Sequence, residues 1–175
     1  MQNTSTGLAL KRLDSKTAVA IMQFTVLFGI AVFAPLFGEQ LITGTIVNFI
    51  LFVSVFLLGT RSAILISLFP SLIALGVGIL PSILIPIIPF IIVSNILLIM
   101  IFGIFSKTNY WFAIIFASVA KFLFLTIIGF LAISSFKALS PFINIISGTQ
   151  LITSLSGGLM TILFINVIWK NKTKK

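Results

Sequence analysis

Ala113-Ile-Ile-Phe-Ala117-Ser-Val-Ala-Lys121-Phe-Leu-Phe-Leu-Thr126 is the stretch that decides how this chain is read. It belongs to an apolar run long enough to cross a bilayer, and a lysine stands in its middle. An ammonium at membrane depth costs at least roughly 2.5 kcal/mol, so such a residue faces a bundle interior or a wet cavity and finds a partner. Ala117 and Ala113 lie one and two turns before Lys121 on the same helical face. Small residues let a neighbouring helix approach. Lys121 therefore points into the protein, either as a ligand-binding or ion-pairing group or as a structural lysine held by backbone carbonyls.

Composition sets the class. Of the 175 residues, 59% are hydrophobic and 7% charged, against about 25% charged in a soluble domain. The expected fold is an all-α integral membrane protein in the lipid bilayer, with a single membrane domain. There is no cysteine and no histidine, which removes disulfides, thiolate metal sites and imidazole ligands or bases. Asp14 and Glu39 are the only acids, so a paired-carboxylate mechanism is hard to build. The reading is a protein that is not an enzyme, with no catalytic residues, cofactor or bound metal. The net charge of +9 follows span ends rather than forming a patch, so it is not a nucleic-acid signal.

Six transmembrane helices are expected, each about 20 mostly apolar residues. They run Thr17 to Phe37, Leu41 or Thr45 to Gly59, Ser62 to Leu80, Ile87 to Phe105, the Lys121 helix to about Ser134, and Thr149 to Trp169. Gly38 to Gly44 and Ser135 to Gly148 read as connectors, and Pro70 should bend the third span and free a carbonyl. Residues 1–16 read as a leader, 17–169 as the membrane domain and 170–175 as a basic tail. Lys11, Arg12, Lys16, Arg61, Lys107, Lys170, Lys172, Lys174 and Lys175 fall on one side and Lys137 on the other. That excess predicts cytoplasmic N- and C-termini.

The remaining polar residues collect in the outer half. Glu39, Gln40 and Thr43 lie in the first outer connector, Asn48 one turn into the second helix, Ser94 and Asn95 two turns into the fourth, and Asn144 and Gln150 at the mouth of the sixth. Gln150, Thr153, Ser154, Gly157 and Thr161 continue as a polar and small stripe. A through-pore needs polar lining on both sides, whereas a cavity open outward needs it on one. The candidate substrate-binding residues are Lys121, Asn95, Glu39, Gln40, Asn48 and Gln150. Glu39 is a candidate ion partner for Lys121 or a ligand contact. Pro81 to Pro89 reads as an apolar lid or an interfacial segment. Ser67, Ser71, Ala74 and Gly78 read as a packing stripe, and Asn109 and Asn166 as boundary residues.

Phe33-Ala-Pro35, Gln40-Leu-Ile-Thr-Gly44, Phe56-Leu-Leu-Gly-Thr-Arg61, Leu68-Phe-Pro-Ser71 and Ile88-Pro-Phe-Ile-Ile-Val-Ser-Asn95, with six short spans and an outer pocket, resemble the substrate-binding S component of energy-coupling factor (ECF) transporters. The resemblance covers about Thr17 to Trp169. It implies a bacterial plasma-membrane protein that captures a vitamin or similar small-molecule micronutrient from outside with high affinity. It also implies partnership with a transmembrane coupling protein and two ATPase subunits. The Ala-x-x-x-Ala docking patch of that family is absent from the first span, where Thr25 with Gly29 is the nearest small pair. A non-transporting membrane scaffold, in which Lys121 pairs helices, stays open beside this reading.

Overall fold

The computed structural model describes residues 15–78, 82–135 and 140–172. Every long element is a helix: α1 Ser15–Phe33, α2 Gln40–Leu58, α3 Thr60–Ser67, α4 Phe69–Gly76, α5 Ile88–Phe105, α6 Tyr110–Ser135 and α7 Ser140–Lys172. Among the described residues, five segments are long and apolar enough to cross a membrane: Ser15–Phe37, Gln40–Leu58, Ile85–Phe105, Tyr110–Leu131 and Gly148–Ile168. Large apolar side chains such as Met22, Phe33, Ile104, Ile127 and Phe130 are exposed on the outside of the bundle. This surface suits lipid rather than water and fits a multi-pass membrane protein.

The expected third span, Ser62 to Leu80, is described only in part. Thr60–Gly76 is a shorter apolar segment, about 25 Å long at 1.5 Å per residue, less than the roughly 30 Å of a hydrocarbon core. It is also interrupted at Leu68, between α3 and α4. Pro70 explains the break. It has no N–H for the Ile66 carbonyl, and its ring crowds that carbonyl. One correction concerns the connector 135–148, because α7 already begins at Ser140. Pro141 falls in its first turn, where a missing N–H costs nothing. Pro81 and the tip of the expected lid lie outside the described residues, and Ser82–Ile87 is a 3-10 helix leading into α5.

The chain turns where its local chemistry demands. Ala34–Phe37 is a 3-10 turn ended by Gly38 at φ 76°, whose N–H donates to the Pro35 carbonyl. Gly59 joins α2 to α3 at φ 84°, a backbone region that side-chain-bearing residues rarely enter. Asn109 caps α6, its Oδ1 accepting the Trp111 and Phe112 N–H groups at 2.8 and 3.3 Å. Capping accounts for this residue as a helix boundary.

α2 packs most extensively on α7, and α6 packs on both α5 and α7. Adjacent glycines let α7 wedge between two neighbours. A Cβ on Gly157 would lie 2.6 Å from the Phe49 nitrogen and 2.8 Å from the Thr45 carbonyl oxygen of α2. One on Gly158 would strike the Ile114 side chain of α6. Gly157→Ala should therefore lower stability by about 1–3 kcal/mol, because backbone atoms must move, and this exceeds the roughly 1 kcal/mol gain in helix propensity. Gly29→Ala, where nothing lies within 4 Å, should be neutral or stabilising. Thermal unfolding of both variants in detergent checks the pair, and equal unfolding temperatures would reject the wedge.

Candidate functional site

One end of the bundle holds a chamber where α2, α4, α5, α6 and α7 meet. Its empty volume is about 670 Å³ including the open mouth. Gln40, Thr43, Gly44, Val47 and Asn48 of α2 line it, with Pro70, Ser71 and Ala74 of α4, Ile91 and Asn95 of α5, Lys121 of α6, and Thr149, Gln150 and Thr153 of α7. The N-terminal ends of α2 and α5 and the C-terminal half of α6 point to this end. Lys121 is eleven residues into α6, about 17 Å along its axis.

Lys121 is 1% exposed. Its Nζ donates to Asn48 Oδ1 at 2.8 Å and to Asn95 Oδ1 at 2.7 Å. Asn48 Nδ2 donates to the Gly44 carbonyl at 2.8 Å and to Thr153 Oγ1 at 3.2 Å. The Thr153 hydroxyl donates to the Gln150 carbonyl at 3.2 Å. One side chain thus ties α6 to α2 and α5, and through Asn48 to α7. Gly44 makes the last link close: a Cβ there would sit 2.9 Å from Thr153 Cγ2. Burying an ammonium costs several kcal/mol. Two charge-assisted hydrogen bonds, worth about 1.5–3 kcal/mol each, offset part of that.

Of the six residues expected at the site, Lys121, Asn95, Asn48, Gln40 and Gln150 all line the chamber. Glu39 does not. It is exposed, and it occupies the extended N-cap position of α2. Asn48, which meets the ammonium, is nine residues further along, about 13 Å by helical rise, beyond the reach of a glutamate side chain. A carboxylate is favoured where Glu39 stands, at a helix N-terminus, so the ammonium has amide dipoles rather than an anion as its protein partners. Asn144 lies where no side chains are described.

The structure adds wall residues that sequence reasoning set aside. Ser71 and Ala74 are 7% exposed and border the chamber rather than serving helix packing alone. Their signal was adjacency to Pro70, whose kink turns a small-residue stripe toward the cavity. Thr43, instead of facing the ligand space freely, donates its hydroxyl to the Ala34 carbonyl at 3.1 Å. None of residues 85–90 lines the chamber.

The chamber closes toward the other end. Phe52 is one turn beyond Asn48 on α2, and Ile99 one turn beyond Asn95 on α5; both are fully buried. Phe52 meets Phe102 edge-to-face at 4.7 Å between ring centroids. Ala113 and Ala117 of α6, both 0% exposed, belong to the same buried apolar cluster as these rings. The polar groups around Lys121 therefore stand above an apolar, aromatic floor, beyond which the small Ser54 and Thr161 hydroxyls are buried.

Two substitutions separate a lysine kept for its chemistry from one kept to pin helices. Lys121→Met removes the desolvated charge and leaves amide oxygens at a wall water can reach. Its unfolding temperature should stay within a few degrees of the parent. Asn95→Ala strands the ammonium with one partner and should cost about 1.5–3 kcal/mol. Thermal unfolding in lipid nanodiscs reads both, and a larger loss in the methionine variant would mark Lys121 as a structural pin.

Comparison with protein-family models, with curated proteins and with solved structures gives no match to this chain.

Proposed function

We propose that this chain is the substrate-binding membrane subunit of an ECF-type importer, capturing a small micronutrient at the outer face of a bacterial plasma membrane. The observation that carries this reading is the one-sided chamber: a buried ammonium on two amide oxygens, open at one end and closed by Phe52 and Phe102 at the other. Ligand pockets have this character, mostly apolar or small walls with a few convergent polar groups. A continuous pore would need polar lining past the floor.

Charge supports the orientation. Lys16 at the start of α1, Arg61 at the α2–α3 turn, Lys107 at the α5–α6 turn and Lys170 and Lys172 at the end of α7 belong to the end away from the mouth. Basic ends are cytoplasmic, so the mouth faces outward. In this reading Thr60–Gly76 and the residues after it make the third of six spans, and both termini are cytoplasmic. Lys121 is the only titratable group among the described lining residues, which favours binding over catalysis. Uptake then requires an energised partner, here a transmembrane coupling protein with two ATPases. The second reading is a scaffold. It draws on the same network, which links four helices.

The test is co-purification and transport. A small molecule should leave the protein on denaturation and be found by mass spectrometry. ATP-dependent uptake of that molecule should require the coupling protein and ATPases and fall at least about tenfold in Lys121→Met, the loss of one charged hydrogen bond. Absence of both a retained molecule and any association with a coupling complex would reject the importer reading.

A further inference from the structure

The polar groups around Lys121 leave two donors open, a third ammonium N–H and the Asn95 NH2, and the positive charge has no counter-ion among the described residues. We infer that the chamber takes a monoanionic organic acid, its carboxylate seated between Lys121 Nζ and Asn95 Nδ2. This rests on the receptor reading above and adds the chemical class of its substrate.

An ammonium has three N–H donors, and two are used by Asn48 Oδ1 and Asn95 Oδ1. The third is left for whatever occupies the chamber. Both asparagines turn their oxygens to the ammonium, so their NH2 groups face elsewhere. That of Asn48 is spent on the Gly44 carbonyl and Thr153. The NH2 group of Asn95 has no acceptor among the described residues, although the side chain is 3% exposed and lines the chamber. An ammonium N–H and an amide NH2, joined through the 2.7 Å Lys121–Asn95 bond, therefore form a ready donor pair. A carboxylate has two oxygens and only accepts, which fits such a pair.

Charge narrows the class. No acidic side chain among the described residues lines the chamber, and Glu39 is exposed at the N-cap of α2. An anion brought by the ligand would neutralise Lys121, which is 1% exposed, at a depth where charge pairs are stronger than in bulk water. One cation matches one negative charge. A phosphate monoester, near two charges at neutral pH, would leave the excess uncompensated. Val47, Pro70, Ala74 and Ile91 offer apolar wall for the rest of the molecule, and Gln40 and Gln150 stand half-buried with amides for a second polar group.

The full chain in lipid nanodiscs tests this at pH 7, where carboxylic acids are ionised. The probes are benzoate, cyclohexanecarboxylate and 3-phenylpropanoate, their methyl esters and primary amides, benzylamine, and phenyl phosphate. At about 10 mM the acids should raise the unfolding temperature by mass action, and the other compounds should not. Lys121→Met should weaken acid binding roughly ten- to a hundredfold. Asn95→Asp keeps the ammonium paired and supplies a carboxylate from the protein, so it should abolish the acid response even if the methionine variant folds poorly. Acids without effect, esters, amides or amine with equal effect, a larger effect of phenyl phosphate, or an acid response surviving in Asn95→Asp would each overturn the assignment. If a non-acid binds while ATP-dependent uptake persists, the carboxylate assignment falls and the importer reading stands. Loss of uptake and of complex formation as well would remove both.

Discussion

A lysine ammonium withdrawn from water in the middle of a helical bundle is the constraint to which the rest of this molecule conforms. Its charge must be met by dipoles close enough to replace hydration. Here those dipoles are two amide oxygens 2.7 and 2.8 Å away, on α5 and α2. Holding them there fixes the relative depth of three helices. The fourth, α7, is drawn in because the Asn48 amide must place its own hydrogens, and does so on Gly44 and Thr153. The close approach this requires is possible because Gly44 and Gly157 carry no side chain where α2 and α7 touch. Polar network and glycine contacts are thus two sides of one arrangement. In a membrane, where burying apolar surface does little to drive helices together, such contacts carry much of the specificity.

Much of this was legible in the sequence because bilayers make polar residues conspicuous. Lys121 stood out in an apolar run, and Ala113 and Ala117 marked its face as inward; all three are almost completely buried. Asn48 and Asn95 were identifiable because an amide at membrane depth needs a partner. Their meeting at one ammonium was not readable, since it depends on how residues 73 and 26 positions away from Lys121 in the chain are brought to a common level. The ion pair expected between Glu39 and Lys121 does not form, for a related reason. Opposite charge suggested a pair, but depth along α2 separates them, and depth is set by where the helix begins. The connector read from Ser135 to Gly148 differs for another reason: it contains Pro141, and proline breaks a helix from within but starts one from its first turn, as it does in α7, and only the surrounding backbone tells the two apart.

The broken segment links fold to site. A straight helix from Thr60 to Gly76 would run its small face along one neighbour. Pro70 interrupts it, and Pro70, Ser71 and Ala74 then form one chamber wall. Unsatisfied backbone at membrane depth is tolerated where it borders protein or a wet cavity. The kink and the cavity therefore support each other: the cavity gives the weakened turn a polar neighbour, and the kink gives the cavity its width.

The same logic explains why the network around the ammonium ends where it does. Below Asn48 and Asn95 the next turns supply Phe52 and Ile99, and Phe102 closes against Phe52. The hydroxyls beyond that level, Ser54 and Thr161, are small and fully buried, and Thr161 turns its own to the Gly157 carbonyl of its helix, so they carry no polar path to the ammonium. An apolar floor keeps the electrostatic demand high and directs it toward the mouth. Lys121 then has one direction from which its remaining hydrogen-bonding capacity can be filled, and that direction is the open chamber.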